Sequence, residues 1–436
     1  MDNKFKDFKK ELNRVYRKNK IYKEKMQEQG ITPEDINSWE DIKKLPLTTK
    51  QDLLKDYPNG WNCVPTSKIK MYHSSSGTTG KPLIVGLTEK DIEFRKETIK
   101  EDAKQAGITS EDTVEICYGF GMFTGGFSFY EGLKDLECKI IPTGAMSTEM
   151  QLFYMQKLQA TVLLSSPSHI MHLYEKAKEL KIDVKKLPIR NIRVGSELLT
   201  ETMRKKIKDA WGEDVSVTQD YGMTETLGPG LGMECIYENG MHLNPNYYFE
   251  LIDPITKLPT ENEIGELVVT TIYNECFPII RYATNDLVKL SKEKCPCGSI
   301  SPRIVKFFGR TDDMLKVKGV KIFVSQIEDF LFMHPYFNHQ YEIVISKEEY
   351  KDILTINIEY KEDLINVPKE KIASYKIEVE QEFKNKFGIT SQINIVDNKT
   401  IKPYPGKIIR VRDLRKLKIS QDKRMRNCAF FMLIYM

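Results

Sequence analysis

The chain has 436 residues, of which 40% are hydrophobic and 29% are charged. This length exceeds what one hydrophobic core usually supports, so we expect two or three globular domains. The net charge of +4 comes from acidic and basic residues that are mixed along the chain, which argues against a dedicated nucleic-acid-binding protein.

The N-terminus, the apolar runs and the cysteines bear on the compartment. Residues 1–4 are polar and lead into no short apolar core, so we expect no secretory signal. No apolar run reaches about 18 residues, so we expect no transmembrane helix and no membrane association. Eight cysteines in a chain of this length are not typical of a disulfide framework. We therefore expect a reduced, cytoplasmic protein.

The first chemically unusual segment is the loop Ser74–Pro82, which combines serines, threonines and glycines with one lysine and one proline. Small hydroxyl residues and glycines let a backbone turn tightly and direct donors to one point, and Lys81 adds a positive charge. This composition predicts a phosphate-binding loop. It is not a Walker A loop, which would need glycine in place of Ser75 and serine or threonine in place of Pro82. The alternative is a polar surface loop between two strands.

Residues 88–218 alternate between predicted helices and short apolar strands. This alternation predicts a parallel sheet with helices on both faces, in which ligands bind beyond the carboxyl ends of the strands. The phosphate-loop candidate falls at such an end. So does the segment 118–127, which has four glycines among four aromatic residues. It is either a turn that feeds core aromatics or the wall of a pocket for a flat apolar ligand.

The pattern changes after residue 226, where strands and turns replace the alternation, and again near residue 310, where a compact α+β module begins. We therefore expect an N-terminal domain over residues 1–309 with a β-rich subdomain at about 225–305. A small C-terminal domain would cover residues 310–420. The role of the tail, residues 421–436, is left open.

Three segments, Ser74–Pro82, Asp220–Glu225 and Gly309–Gly319, together resemble motifs of the acyl-adenylate-forming enzymes. Within that superfamily the chain is most similar to the phenylacetate–coenzyme A ligases, through the segments 119–126, 278–286, 295–298 and 318–328. The motifs follow the expected order over residues 72–413. The resemblance implies an α/β fold with a large adenylate-forming domain of parallel sheets and helices plus a β-rich subdomain. It also implies a small, mobile α+β C-terminal domain that closes over AMP.

The resemblance implies a reaction in two steps. A carboxylate attacks the α-phosphate of ATP and releases pyrophosphate, and coenzyme A then displaces AMP from the acyl adenylate. By resemblance, the β- and γ-phosphates would be bound by Ser76, Thr78, Thr79, Gly80 and Lys81, and the α-phosphate by Thr224. Glu225 would hold Mg²⁺, since a carboxylate suits a hard cation. The nucleoside would be bound by Asp286 at the ribose, by Arg310 at the ribose or a phosphate, and by Ser196, Glu197, Asp220, Tyr221 and Gly222 near the adenine, with Tyr221 stacked on the base.

The C-terminal module would carry the remaining functional residues. Lys407, in the segment Pro405–Val411, matches the catalytic lysine that would bridge the substrate carboxylate and the α-phosphate. Asp312 matches the hinge position, and rotation there would replace Lys407 by Lys318 and Gly319 for the thioester step. The acyl pocket would be lined by Tyr118, Phe123, Gly125 and Gly126.

The cysteines suggest a second metal. Cys295 and Cys297 form a short chelate loop, and Cys235 and His242 lie upstream with six residues between them. A Cys₃His set suits a closed structural Zn²⁺ site, and the resemblance supports the full set.

The expected function is therefore ATP-dependent conversion of an aryl or arylacetic acid into its coenzyme A thioester. The expected partners are a small carboxylic acid and coenzyme A, with a homodimer left open. Two departures bear on the substrate and the ribose contact: Leu198 and Leu199 follow Glu197 where a Pro-Trp pair is usual, and Asn285 replaces a glycine. One alternative delivers the acyl group to a carrier protein or another acceptor. An alternative from a different class is a non-catalytic relative that binds nucleotide or acyl ligand.

Overall fold

The computed structural model describes residues 3–75, 81–312, 314–348, 351–361, 368–397, 400–401 and 410–415. The chain forms two compact units, Met1–Asp312 and Asp313–Met436. No helix in these described ranges is long and apolar enough to span a membrane.

Most α-helices of the first unit begin at a capping asparagine, serine or threonine, as their sequence predicts. Thr88 and Asp91 cap each other at the start of α4, and Thr200 accepts a hydrogen bond from the backbone of Met203 at the start of α8. The α-helices are α1 (Asn3–Lys18), α2 (Lys20–Glu28), α3 (Lys50–Leu53), α4 (Glu89–Gln105), α5 (Thr124–Asp135), α6 (Thr148–Lys157), α7 (Pro167–Glu179) and α8 (Glu201–Trp211).

The strands of the first unit form a small hairpin and a large sheet. The hairpin pairs β1 (Met71–Ser74) with β2 (Ile84–Leu87). The strands of the sheet are β3 (Thr113–Ile116), β4 (Lys139–Ile141), β5 (Val162–Ser165), β6 (Asn191–Val194), β7 (Ser216–Met223), β8 (Gly228–Glu234), β9 (Met241–Leu243), β10 (Tyr247–Ile252), β11 (Ile264–Thr271), β12 (Tyr282–Ser291) and β13 (Arg303–Arg310).

The large sheet has 11 strands in the order β10-β11-β12-β13-β9-β8-β7-β6-β5-β3-β4. Strands β3 to β7 pair in parallel, and from β7 to β10 every pairing is antiparallel. The β-rich segment therefore continues the same sheet rather than forming a separate one. The predicted α/β class is confirmed. At β7 the pairing changes from parallel, with β6, to antiparallel, with β8.

Two hydrophobic clusters of the first unit lie against this sheet, and a third joins α1 and α2 to the β1–β2 hairpin. Ile99 of α4 and Leu133 of α5 pack against Val114 and Val162 of the parallel half. Leu231 packs with Val288 and other apolar residues of the antiparallel half.

The second unit contains a hairpin, a four-stranded sheet and two helices in its described residues. The hairpin pairs β14 (Leu315–Val317) with β15 (Val320–Ile322), and the sheet has the order β18-β17-β16-β19. The remaining elements are α9 (Val324–Met333), β16 (Phe337–Glu348), β17 (Lys351–Tyr360), α10 (Lys369–Phe387), β18 (Gln392–Val396) and β19 (Val411–Asp413).

A buried ion network fixes β7 in the first unit. Arg193 on β6 forms ion pairs with Asp102 of α4 and with Asp220 of β7, and all three side chains are almost fully buried. The same guanidinium donates to Thr218 at 3.1 Å and to the backbone oxygen of Glu234 at 3.1 Å. Burial raises the pKa of both carboxyl groups, most strongly that of Asp102. The network therefore ties a helix to three adjacent strands through one cation.

We expect Arg193→Met to lower the free energy of unfolding of the first unit by about 3–5 kcal/mol, because it leaves two buried carboxyl groups without their cation. Denaturant unfolding followed by tryptophan fluorescence measures this unit alone, since the three tryptophans, Trp39, Trp61 and Trp211, all belong to it.

The control is Lys186→Met, which removes an exposed ion pair with Asp183. We expect it to change stability by less than about 1 kcal/mol. Equal effects of the two variants would contradict the role given to Arg193.

Candidate functional site

The base of the predicted phosphate-binding loop is closed by short hydrogen bonds. The backbone N–H of Ser75 donates to the Leu83 oxygen at 2.9 Å, and the Leu83 N–H donates to the Ser75 hydroxyl at 3.0 Å. Ser76, Thr78, Thr79 and Gly80 lie outside the described residues. Lys81 is exposed, with its Nζ 5.8 Å from the centre of the Tyr57 ring.

The start of the predicted phosphate-binding loop and the glycine–aromatic segment 118–127 are joined at Met122. Its backbone oxygen accepts hydrogen bonds from the Ser74 N–H at 2.8 Å and from His73 Nδ1 at 3.3 Å. The His73 Nε2 accepts from Arg95 Nη1 at 2.9 Å, which fixes the neutral tautomer that carries its proton on Nδ1. Arg95 in turn pairs with Glu131 of α5 at 2.6 Å.

The residues predicted to line the acyl pocket surround the start of α5. The Tyr118 hydroxyl donates to the Ser165 oxygen, and its ring stacks on Phe129 with an interplanar angle of 12°. Gly126 lies against the preceding loop, because an added Cβ would come within 2.9 Å of the Gly119 oxygen. Gly125 is near Tyr118, and Phe123 is 48% exposed. The glycines thus let the backbone of α5 pack closely on the preceding loop, and the exposed Phe123 lies beside this contact.

Two antiparallel strands bring Asp286 and Arg310 together beside the end of β7. Asp286 of β12 is directly opposite Arg310 of β13. The Tyr221 hydroxyl donates to Asp286 Oδ2 at 2.6 Å, and Arg310 Nη1 lies 3.4 Å from Asp286 Oδ1. The Tyr221 ring is 5.1 Å from the Phe307 ring. Burial and the neighbouring Asp286 raise the pKa of Tyr221, so its hydroxyl stays a donor.

Glu225 and Thr224 lie in the 3₁₀ turn Thr224–Thr226 that follows β7. The Glu225 carboxyl group is buried, and its Oε1 accepts a hydrogen bond from the Tyr282 hydroxyl at 3.1 Å. Burial, together with Glu225, raises the pKa of Tyr282 well above its ordinary value. Each of the two predicted functional acids, Asp286 and Glu225, is thus oriented by a tyrosine hydroxyl.

The structure also explains Gly222 and Asp220 of the segment Asp220–Glu225. A Cβ at Gly222 would come within 2.1 Å of the Gly228 oxygen, so no other residue fits where β7 turns into β8. Asp220 is buried, where it accepts from the Gly230 N–H at 3.0 Å and pairs with Arg193. The Asp220 side chain therefore stabilises the interior of the sheet.

The predicted adenine strip at Ser196 and Glu197 lies at the end of β6. Ser196 is exposed and has a φ of 68°. The Glu197 carboxylate accepts from the Ser168 hydroxyl at 2.8 Å and from its N–H at 3.2 Å, in the first turn of α7. A carboxylate at that position satisfies otherwise unpaired helix donors.

The predicted hinge residue Asp312 is the last residue of the first unit. Both of its carboxylate oxygens accept from the Arg310 guanidinium at 2.9 Å. Asn285 has a φ of 65°, a conformation that asparagine tolerates better than most residues, and so can replace glycine there.

In the second unit, Lys318 and Gly319 form the exposed turn of the β14–β15 hairpin. The Lys318 Nζ donates to the Thr390 backbone oxygen at 3.1 Å. Lys407 lies outside the described residues.

The four predicted zinc ligands meet at the other end of the antiparallel half. The ligand atoms of Cys235, His242, Cys295 and Cys297 all lie within 4.8 Å of one another. The Cys235 and Cys295 sulfurs are 3.8 Å apart, and the Cys297 sulfur is 3.5 Å from His242 Nε2. A tetrahedral ion with Zn–S bonds of about 2.3 Å and Zn–N bonds of about 2.0–2.1 Å requires S–S edges of about 3.8 Å and S–N edges of about 3.5 Å. The donor set therefore fits zinc.

Two protein-family models match the chain. Residues 32–273 match the AMP-binding enzyme family, and residues 319–415 match the AMP-binding enzyme C-terminal domain. The chain belongs to the AMP-binding enzyme family.

Within this family, the phenylacetate–coenzyme A ligase of Pseudomonas putida is 32% identical over 93% of this chain and 92% of its own length. That of Thermus thermophilus is 31% identical over 92% of this chain and 94% of its own. A crystal structure of 2-hydroxyisobutyryl–coenzyme A ligase shares the fold, with a TM-score of 0.88 and 22% identity over 97% of this chain and 91% of that chain. The chain is an AMP-forming acid–thiol ligase most like the phenylacetate–coenzyme A ligases, and this prediction is confirmed.

Several residues that shape the site were missed from the sequence. Tyr282 contacts Glu225 although 57 residues separate them, and Arg95 reaches His73 over 22 residues. Tyr282 lies inside a family motif, which was a usable signal. Arg95 lies on an ordinary charged helix, so nothing in the sequence marked it.

We expect His73 to make the first unit less stable in acid. Burial, followed by the charge of Arg95, lowers the pKa of His73 to about 4. An unfolded histidine has a pKa of about 6.5, so the unfolded state binds the extra proton as the pH falls from about 6.5 towards 4. The stability lost over that window is at most about 3 kcal/mol.

The measurement is denaturant unfolding of the wild type and of His73→Asn between pH 4 and 7, followed by tryptophan fluorescence. The stability difference between the two proteins should narrow or reverse as the pH falls. Parallel curves over the whole range would contradict a buried neutral His73.

Proposed function

We propose that this ligase activates an aryl or arylacetic acid with ATP, releases pyrophosphate and transfers the acyl group to coenzyme A. The observation that carries the proposal is the arrangement at the end of β7. There Asp286 and Arg310 lie opposite each other on the adjacent strands β12 and β13, and Tyr282 at the start of β12 donates to Glu225 in the turn that follows β7. Two carboxylates and a guanidinium in this arrangement suit a nucleotide: a carboxylate can accept from ribose hydroxyls or bind a metal ion, and a guanidinium can bind a phosphate.

The identity of the acid is supported by the relatives and by the pocket. Four relatives named phenylacetate–coenzyme A ligase are 31–33% identical over 90–93% of this chain. The half-buried Tyr118, whose ring is backed by the buried Phe129, and the exposed Phe123 offer flat apolar surfaces to an aromatic ring.

Release of pyrophosphate is supported by the phosphate loop. It departs from a Walker A loop at Ser75 and Pro82, which argues against γ-phosphoryl transfer as the reaction. In the proposed role, Ser76, Thr78, Thr79, Gly80 and Lys81 bind the leaving β- and γ-phosphates. Such donors act by stabilising charge that develops in the transition state.

The remaining residues would bind and orient the substrates. Asp286 would accept the ribose hydroxyls, Arg310 would add a ribose or phosphate contact, and Thr224 would contact the α-phosphate. Glu225 would hold Mg²⁺, which would neutralise phosphate charge when bound. Ser196, Glu197, Tyr221 and Gly222 would surround the adenine, with Asp220 supporting them from the interior.

The lid residues belong to the same proposal. Lys407 would bridge the carboxylate and the α-phosphate in the first step, with Asp312 as hinge. Lys318 and Gly319 would face coenzyme A in the second step. The Cys₃His cluster would hold a structural Zn²⁺ that stabilises the antiparallel half of the sheet.

The first test is a substrate panel with ATP and Mg²⁺. We expect phenylacetate and ring-substituted relatives to give kcat/KM values higher than those of fatty acids or short hydroxy acids by about tenfold or more, because only a flat ring fills the aromatic pocket. AMP, pyrophosphate and the coenzyme A thioester are quantified by mass spectrometry.

Acid-dependent pyrophosphate exchange without thioester formation would favour a carrier protein or another acceptor. ADP as the nucleotide product would contradict the adenylation step. Absence of exchange with every acid would favour a non-catalytic relative.

The second test separates the two steps. Lys407→Ala should slow adenylate formation by about 10²–10³-fold, because it removes one donor that acts on developing charge. It should spare thioester formation from a supplied acyl adenylate. Lys402→Ala, five residues away, is the matched control and should keep both rates. Equal loss of both half-reactions in Lys407→Ala would contradict its role.

A further inference from the structure

Arg303 is a buried arginine next to the Cys₃His cluster. It is the first residue of β13, directly opposite His242 on β9, and is 2% exposed. Side chains of directly opposed residues in an antiparallel pair lie on the same face of the sheet. The arginine and the histidine ligand are therefore neighbours.

The guanidinium of Arg303 bonds to the backbone of both loops that carry the ligands. Its Nη1 donates to the oxygen of Asn239, which lies between Cys235 and His242. Its Nη2 donates to the oxygen of Glu293 at 3.2 Å, two residues before Cys295. One side chain thus connects two loops that are separated by more than fifty residues of sequence.

The charge of Arg303 is not balanced by an acid in the described part of the chain. Its partners there are neutral backbone oxygens, and its Nε has no hydrogen-bond partner. A buried guanidinium without a counter-charge is costly. Three thiolates, one neutral imidazole and Zn²⁺ carry one net negative charge, which would supply the missing balance.

We propose that Arg303 is the positioning residue of this metal centre: it sets the spacing of the two ligand loops and balances the charge of the metal–thiolate cluster. This inference rests on the proposed zinc site and is independent of the proposed acid substrate.

The test uses full-length protein purified without chelator, with Zn²⁺ itself as the probe. We expect the wild type to hold one equivalent of zinc. Arg303→Met should bind zinc about 10–100-fold more weakly in competition with a chromogenic chelator, as expected when a group that supports metal ligands is lost. Arg303→Lys, which keeps the charge but lacks the fork of donors, should recover part of this loss. If Arg303→Met does not fold, the loss in Arg303→Lys relative to the wild type is the test.

Lys289→Met is the matched control, because Lys289 lines the same surface depression as Arg303 but pairs with Glu263. It should bind zinc like the wild type, which excludes a general effect of removing a positive charge nearby.

A second set of measurements distinguishes charge balance by Arg303 from a general effect of Arg303 on folding. Cys297→His changes the set to two thiolates and two imidazoles, which is neutral with zinc, so Arg303→Met should weaken zinc binding less in that background. Chelator should also lower the unfolding temperature of the wild type more than that of Arg303→Met.

The inference is overturned if Arg303→Met binds zinc like the wild type and lowers the unfolding temperature equally with and without chelator. Arg303 would then be a structural residue only. A wild type that binds no zinc overturns both the metal proposal and this inference, while the ligase assays still stand as a separate test of the proposed function.

Discussion

The candidate site depends on how β7 is held, and β7 is held by Arg193. This buried cation connects Asp102 on α4 with Asp220 on β7, and it also reaches the backbone of Glu234 at the end of β8. On one side of β7 the strands are parallel, and on the other they are antiparallel. The open carboxyl end of the parallel half therefore lies beside strands that return in the opposite direction. This arrangement lets residues from β12 and β13 face the end of β7.

A second constraint acts on the two acids at that point. Asp286 and Glu225 each accept a hydrogen bond from a tyrosine, Tyr221 and Tyr282 respectively. Burial raises the pKa of both phenols, so they remain donors at neutral pH. The carboxylates are thereby fixed in orientation before any ligand is bound, which is the condition for efficient binding of a ribose or a metal–phosphate group.

The sequence predicted local elements well and long-range pairings poorly. The sequence predicts a helix over residues 369–387, and α10 has these bounds, because its residue spacing and the glycine that follows it, Gly388, are local signals. Strand β13 was not predicted, since its residues are exposed or half-buried after Ile304 and show no alternation. The pairing of Asp286 with Arg310 depends on that strand, so their proximity could be inferred only from the family motifs. The Arg193–Asp102 pair spans 91 residues and had no signal at all.

The four predicted zinc ligands show the converse case, because their spacing in the sequence predicted a cluster that the fold brings together. Strands β9 and β13 pair at only two positions in the described residues, Met241 with Ile304 and His242 with Arg303. This short pairing joins β12 and β13, with Asp286 and Arg310, to β8 and so to β7. Backbone hydrogen bonds over two residues give little resistance to slippage of register. The ligand cluster and Arg303 lie at this joint and connect its two loops. A metal there would fix the distance between the acids on β12 and the motif on β7 without touching a substrate, so a structural ion would serve the nucleotide site through the register of the sheet.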